Sequence, residues 1–304
     1  VTNRPPGSLS HARRRDLQGL LFVLPVVLGT VIFNVAPAIA SLVLSLTEWD
    51  LLTPPRFVGF ANFVELLSAD PFALGAIRNT VLFVVGSVAL GMVGSLVLAL
   101  LVNQPLRGIA VFRLAYYLPV VTSVVATGLV WQWLLNSRLG LVNGVLAEVG
   151  VDGPGWLVEP GWAIVSLIII SVWQGLGTNM MIYLAGLQNV PGDLLDAARI
   201  DGAGAWRRFR DVTLPMLSPT TFFILITSLI GSFQVFALVF VLTIAEGAGG
   251  RSRVMDVWIY YLWQNAFSYF RMGYASAMAW LLFLVIGALT ILQWRLASRW
   301  VFYE

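Results

Sequence analysis

The chain has 304 residues, of which 59% are apolar and only 11% charged, giving a mean hydropathy of +0.85. Soluble domains carry about 25% charged residues, so the composition excludes a water-soluble enzyme and indicates an integral membrane protein. The absence of Cys removes disulfides and thiolate metal sites. The net charge of +3 comes from arginines gathered at the ends of apolar runs, which speaks for membrane orientation rather than for nucleic-acid binding.

Residues 1–16 read as a disordered basic tail, with Pro5-Pro6-Gly7-Ser8, His11 and then Arg13-Arg14-Arg15. A lone His in such a tail is no basis for a metal site, and none is expected in the chain. The first apolar run, 17–46, is interrupted by Pro25, Asn34 and Pro37. Its basic start and Ala36-Pro37-Ala38 imitate a secretory signal. The apolar stretch continues past that point to Leu46, which favours an uncleaved anchor. Five more runs follow at 77–102, 111–135, 161–187, 215–243 and 273–297.

Each run has the roughly 20 apolar residues that a helix needs to cross the hydrocarbon core. Backbone groups in lipid must be satisfied within the protein, and the ~10-residue alternation of a membrane barrel is absent. The expected fold class is therefore all-α, with six transmembrane helices and residues 17–304 forming a single membrane domain. Six spans place both termini on one side. That side then holds twelve arginines and the other six, so the termini and the loop 191–219 are assigned to the cytoplasm.

The opposite side consists of 48–76, 136–160 and 244–272. It carries Trp49, Phe60, Trp156, Trp258, Tyr260, Tyr261 and Trp263, with Trp162 at its border at the start of the fourth run, together with Glu65, Asp70, Glu148, Asp152 and Glu159. Two readings stay open: an aromatic belt at the membrane interface, or an acidic docking surface for a soluble outer partner.

All 18 basic residues are arginine. A phosphate-binding P-loop requires the Lys of G-x-x-x-x-G-K-[ST], so any ATP must be bound by another subunit. The loop 191–219 has the make-up of a connector to such a subunit. Asp193 is the expected N-cap of a short helix running to Arg199, acidic at its start and basic at its end. Gly202 breaks it, and 203–211 form a second short helix carrying Arg207, Arg208 and Arg210. Trp206 and Phe209, three residues apart, are expected to anchor the loop against the span ends. Small residues at Ala197, Ala198, Gly202 and Ala203 let another surface approach closely.

The segment DAARIDGAGAWRRFRDVTLP, residues 196–215, resembles the EAA loop of permease subunits of binding-protein-dependent ABC importers. Ala197, Ala198, Asp201, Gly202, Ala203, Phe209, Leu214 and Pro215 match the pattern; Asp196 stands where Glu is usual. Further stretches resemble the carbohydrate-uptake branch, in particular its maltose- and glycerol-3-phosphate-type first permease: SLVLSLTEWD at 41–50, VGFANF at 58–63, FRLAYYLP at 112–119, YLAGLQ at 183–188 and FSYFRMGYASA at 267–277. Ala237 and Gly247-Ala248-Gly249-Gly250 depart from it, standing where family members carry a polar residue and a G-G-P turn.

The resemblance implies a type I importer permease fold. It implies a second permease subunit, two ABC ATPase subunits that bind ATP and Mg, and an extracytoplasmic solute-binding protein as partners, with membrane lipid around the spans. It implies no cofactor and no catalytic residue in this chain. ATPase coupling would rest on Asp196, Ala197, Ala198, Asp201, Gly202, Ala203, Phe209 and Pro215. Solute would be a sugar or oligosaccharide, with a polyol phosphate such as glycerol-3-phosphate as the alternative.

No Asp or Glu lies near the middle of a predicted span, so ion coupling through a buried carboxylate lacks its usual carrier. The polar residues there are neutral. In the fourth span Gln174 and Thr178 share a face, with Asn179 and Tyr183 nearby; in the fifth, Thr227 and Gln234 share one, bordered by Phe233 and Phe236. Amides beside aromatic faces suit sugars, and the competing role is interhelical packing. The resemblance singles out Gln234. Gly86, Gly91 and Gly94 in the second span indicate close helix contact, with the second permease as one possible neighbour.

Overall fold

A computed structural model describes residues 8–244 and 253–301 of the chain, with side chains from residue 16 onward except those of Leu17 and Ile244. The glycine-rich stretch at 247–250 lies outside the described residues. Among the described residues five helical stretches are long and apolar enough to cross a membrane, and a bent pair of helices passes the same test when taken together as a sixth. The six-span, all-helical architecture follows directly from the hydropathy of these runs.

The chain forms two compact units, residues up to Ser68 with Asn265–Trp280, and Ala69–Gln264 with the residues from Leu281 on. The first begins with α1 (Ser8–Thr30), a π-turn at Val31–Val35 and α2 (Ala36–Ser45). Residues 8–16, expected to be disordered, are the start of α1 instead; nothing after Gly7 breaks the helix until Pro25 and Pro37. The π-turn ends two residues before Pro37, whose missing N–H and ring would clash with a regular turn. No residue of the most apolar 18-residue window within Gln18–Ser45 is buried, and an apolar surface of that length suits contact with lipid.

After α2 the chain makes a two-stranded ribbon, β1 (Thr47–Glu48) with β2 (Arg56–Phe57), and then α3 (Ala61–Ser68). Asn62 holds this turn. Its buried side-chain amide donates to the carbonyls of Ser45, at 2.8 Å, and Thr47, at 2.9 Å. The Glu65 carboxylate pairs with Arg271 at 2.6 Å, and the Trp49 carbonyl accepts from the Met272 amide.

The second unit is built on α4 (Pro71–Val102). Asp70 caps it by accepting from the amides of Phe72 and Ala73, and Pro71 occupies the first turn, where its missing N–H costs nothing. The span thus starts six residues earlier than its hydropathy indicates. At the far end Arg113 donates to the Val102 carbonyl at 2.7 Å, a cation closing a helix C-terminus. Next come α5 (Ile109–Tyr117), a 3-10 turn at Leu118–Val121 and α6 (Val124–Leu134).

The third span is therefore not the straight helix expected over 111–135: it bends by 99° at Thr122 and Ser123. Pro119 removes a backbone donor, the Thr122 hydroxyl bonds the Pro119 carbonyl, and Ser123 is extended.

After α7 (Leu141–Glu148), α8 (Trp162–Gln188) packs along α4. Gly86 and Gly94 make the approach possible: a β-carbon there would lie 2.6 Å from Ile168 and 3.0 Å from Leu176. These glycines thus serve contact within the chain rather than with a second permease. The loop helices α9 (Gly192–Ile200) and α10 (Ala205–Arg208) lead through a π-turn at Phe209–Thr213 into α11 (Leu214–Met216). This π-turn too ends two residues before a proline, Pro215.

The fifth span is two helices, α12 (Ser218–Phe233) and α13 (Ala237–Ile244). A 3-10 turn at Arg253–Met255, α14 (Trp258–Trp263), a π-turn at Gln264–Ser268 and α15 (Met272–Ala297) complete the chain. Trp258, Tyr260 and Tyr261 are at most 4% exposed, so they form neither a membrane belt nor a docking face. They are core residues, and Met255, Val257 and Tyr260 belong to the same cluster as Phe83, Ile164 and Leu238.

Candidate solute cavity and coupling loop

The interruption of the fifth span positions the candidate solute site. α12 stops at Phe233, Gln234 leaves helical geometry at φ −103° and ψ 14°, and the helix resumes at Ala237. Non-helical backbone at membrane depth is tolerated where it is buried in protein or lines a hydrated cavity. Here it lines one. A cavity of about 410 Å³ is bounded by Gln234, Val235 and Phe236 of the break, by Ser171, Gln174 and Gly175 of α8, and by Val120 and Val124 of the bent third span.

A second cavity, of about 240 Å³, lies between α4, α8 and α12 and shares Ser171, Gly175 and Val235 with the first. Its polar lining adds Ser87, Asn179, Ser228 and Ser232. The Asn179 side-chain amide donates to the Ser228 hydroxyl at 3.3 Å, and the hydroxyls of Ser87 and Ser232 lie 3.3 Å apart. The Ser171 hydroxyl is buried and has no hydrogen-bond partner among the described residues, which leaves it available to a guest molecule. A β-carbon at Gly91, Gly175 or Gly231 would meet nothing within 4 Å, so these glycines keep the space open.

Both linings are neutral, with amides and hydroxyls set among apolar walls. Phe236 stands at the rim of an aromatic cluster, 5.8 Å from the Trp263 ring and 5.3 Å from that of Phe240. Such a surface can hydrogen-bond a polyhydroxylated guest while covering the apolar face of its ring. It has no charged or nucleophilic group suited to covalent chemistry.

Of the eight span residues picked out in the sequence, the structure brings Gln174, Asn179, Gln234 and Phe236 to these cavities and leaves four outside them. Thr178 is exposed elsewhere on α8. Tyr183 is 1% exposed in a cluster with Met180, Leu184, Leu217 and Ile224. The Thr227 hydroxyl turns back to the carbonyls of Phe223 and Ile224. Phe233 packs in the core and lines an apolar crevice with Trp258 and Leu282. Ser171 and Ser228 were missed; their signal is the i, i+4 series Ser171–Gly175–Asn179 and Ser228–Ser232.

The loop after α8 is built from local bonds. Gly202 has φ +76°, a left-handed conformation that glycine adopts without strain. Its amide donates to the Arg199 carbonyl and that of Ala203 to the Ala198 carbonyl, closing α9 in a Schellman arrangement. α9 starts one residue before Asp193, so Asp193 lies in the first turn and Pro191 occupies the cap position. The acidic side chain still faces the positive end of the helix.

Asp196 pairs with Arg199 at 2.6 Å, both more than half exposed. Ala197 and Asp201 are exposed, Ala198 and Ala203 half-buried, and Gly202 exposed. Phe209 and Pro215 are half-buried behind them. Trp206 contacts the Phe209 ring at 5.6 Å but is 71% exposed, so only Phe209 packs inward as expected. Leu194, Ala197 and Ile200 form an exposed stripe three residues apart, with Ile200 at 87%. An apolar stripe open to water on a short polar helix is a surface made for a partner.

Residues 91–302 match the family model described as the binding-protein-dependent transport system inner membrane component. The chain is 37% identical over 294 residues to the probable ABC transporter permease protein YesP of Bacillus subtilis, covering 96% of this chain and 94% of that one. It is 37% identical to the lactose transport system permease protein LacF of Rhizobium radiobacter, covering 95% and 97%. To the sn-glycerol-3-phosphate transport system permease protein UgpA of Yersinia pestis it is 32% identical, covering 93% and 95%. Among solved structures it superposes on a chain of a bacterial alginate ABC transporter, crystallised in complex with an alginate pentasaccharide-bound periplasmic protein. The TM-score is 0.83, with 23% identity and 94% and 96% coverage.

Proposed function

Because this chain belongs to the family of binding-protein-dependent transport system inner membrane components, we propose that it is the membrane-spanning permease subunit of an ATP-driven importer of a sugar or oligosaccharide. The observation that carries the reading is the uncharged cavity at the break of the fifth span, which Gln174, Gln234 and Phe236 line together. The lactose permease among its relatives supports a neutral carbohydrate. The glycerol-3-phosphate permease among them supports the second reading, a polyol phosphate. Against it, no cationic side chain lines either cavity, and a phosphate is normally held by charge-assisted hydrogen bonds.

In this reading the chain pairs with a second permease subunit, receives solute from an extracytoplasmic binding protein and is driven by two ABC ATPase subunits. Those subunits carry the ATP and Mg, and this chain performs no catalysis. α9 sits in a groove of the ATPase, with Ala197, Ile200 and Leu194 as its buried face. Closure of the ATPases moves the loop and, through the half-buried Phe209 and Pro215, the fifth span, which alternates the access of the cavity. The arginine distribution supports a cytoplasmic position for the loop and both termini.

The test is uptake by the assembled transporter in proteoliposomes. ATP-dependent accumulation of a neutral sugar, with no ATP hydrolysis by this chain alone, is the expected result. Accumulation driven by an ion gradient with this chain alone would overturn the proposal, and transport confined to a phosphorylated polyol would replace its solute.

A further inference from the structure

Asp256 is 4% exposed, and neither carboxylate oxygen has a hydrogen-bond partner among the described residues. Its backbone is held on both sides of the side chain. The Asn79 amide of α4 donates to the carbonyls of Val254, at 3.3 Å, and Asp256, at 3.1 Å. Two residues on, the Trp258 amide donates to the Thr80 hydroxyl at 2.8 Å. The segment from Arg253 to α14 is thus clasped to α4 through its backbone while the carboxyl between the clasps is left without a donor. A buried polar group in that condition calls for an explanation.

The surroundings offer little to hold a negative charge. On its own turn Arg253 acts on Asp256 by charge, but its guanidinium lies 3.6 Å over the Phe72 ring and 5.7 Å from that of Tyr261. From α4, Asp70 accepts from the Tyr261 hydroxyl at 2.7 Å and Arg78 is exposed. α14 contributes Tyr260 and Tyr261, and α8 has no charged side chain. Burial, only partly offset by Arg253, lifts the Asp256 carboxyl to about 6 from its ordinary 3.8. The docked segment therefore binds this proton more tightly than an undocked one. Its advantage is full below about 3.8 and is lost as pH rises through about 6.

We propose that Asp256 is a proton-operated latch: neutral, it lets the Arg253–Trp263 segment stay docked on α4, and ionised, it loosens that docking. The latch matters to the cavity because α14 carries Tyr260 and Trp263, whose rings lie 6.4 Å and 5.8 Å from that of Phe236. Loosening frees the rings packed on Phe236 at the cavity, so the transporter holds this packing most firmly in acid surroundings. The latch rests on the contacts of Asp256 alone and stands whatever solute the cavity carries.

Hydrogen–deuterium exchange of the assembled transporter in lipid nanodiscs, corrected for intrinsic rates, tests it. Opening at residues 257–261 should rise about twentyfold between pH 4.5 and 7 and then level off. Asp256→Asn should hold opening near its acid value throughout. Arg253→Gln, which removes the charge opposing the shift, should move the levelling-off point to higher pH. A pH-independent opening in the wild type, or the same pH profile in Asp256→Asn, overturns the latch. If Asp256→Asn does not assemble, an unmoved profile in Arg253→Gln does so by itself.

Discussion

Gly177 presses against the elbow of the third span so closely that a β-carbon there would lie 2.5 Å from the Tyr116 carbonyl oxygen and 2.9 Å from the Tyr117 α-carbon. Both neighbours are backbone, so neither can turn aside. Glycine to alanine inside a helix ordinarily gains about 0.5–1 kcal/mol. Here the clash should reverse the sign, with a loss of about 1–3 kcal/mol as for other overpacked sites. Gly175→Ala, two residues away and facing open space, should show the ordinary gain. Thermal unfolding of the purified complex checks the pair: Gly177→Ala lowers the midpoint and Gly175→Ala does not.

The open space at Gly175 also separates fit from stability. Gly175→Leu should leave the unfolding midpoint within a few degrees of wild type and abolish uptake, because the side chain would occupy both cavities. Gln174→Leu and Gln234→Leu each remove one hydrogen-bonding group toward solute, worth about 0.5–1.5 kcal/mol. Each should therefore weaken uptake by about twofold to tenfold, with ATP hydrolysis by the complex intact. Kinetics unchanged in both glutamine variants would remove these amides from the solute path.

Why half of the predicted cavity residues lie elsewhere is visible at Thr227 and Ser228. Both are hydroxyl residues in one apolar helix, yet Thr227 bonds its own helix while its neighbour Ser228 accepts from Asn179 on α8. Residue type reveals a polar atom in a span but not whether the preceding turn already satisfies it. The spans themselves were legible because 20 apolar residues have few alternatives in a chain of this composition. Their interruptions were not. No proline or glycine marks the break at 234–236, and Pro119 sits where a helix could have started anew. The loop read well because its signals are local: Gly202 in a left-handed turn closes α9 through bonds to residues three and five positions back.

That turn makes Gly202 the sensitive point of the proposed coupling loop. Gly202→Val must place a β-branched side chain at φ +76°, a strain of about 1–3 kcal/mol, which should unwind the end of α9. Stimulation of ATP hydrolysis by solute-loaded binding protein should fall at least tenfold while the complex still assembles. Asp196→Ala gives the complementary test. Its ion pair with Arg199 is exposed, so its loss should cost under about 1 kcal/mol. A large drop in stimulated hydrolysis with an unchanged unfolding midpoint would then assign Asp196 to the ATPase contact rather than to the loop's own structure. An unmoved hydrolysis rate would free it of that role.

Within the unit that contains α2 and α3, two polar contacts invite comparison, and burial decides between them. The Arg271–Glu65 pair is short, at 2.6 Å, but its side chains are 42% and 43% exposed. Solvent competes for both ends, and Arg271→Ala should cost at most about 1 kcal/mol through the ion pair. Asn62 is 8% exposed and its single amide serves two carbonyls, those of Ser45 and Thr47. Asn62→Ala strands both acceptors, at about 1–3 kcal/mol for a buried group left without its partner. Asn62→Asp keeps the shape but turns an oxygen toward two oxygens, so it should be at least as damaging. Exchange protection of the Leu46 and Val58 amides, measured in the assembled transporter, should drop in both Asn62 variants and hold in Arg271→Ala. If Asn62→Asp protects these amides as well as the wild type does, the amide is not what holds this turn.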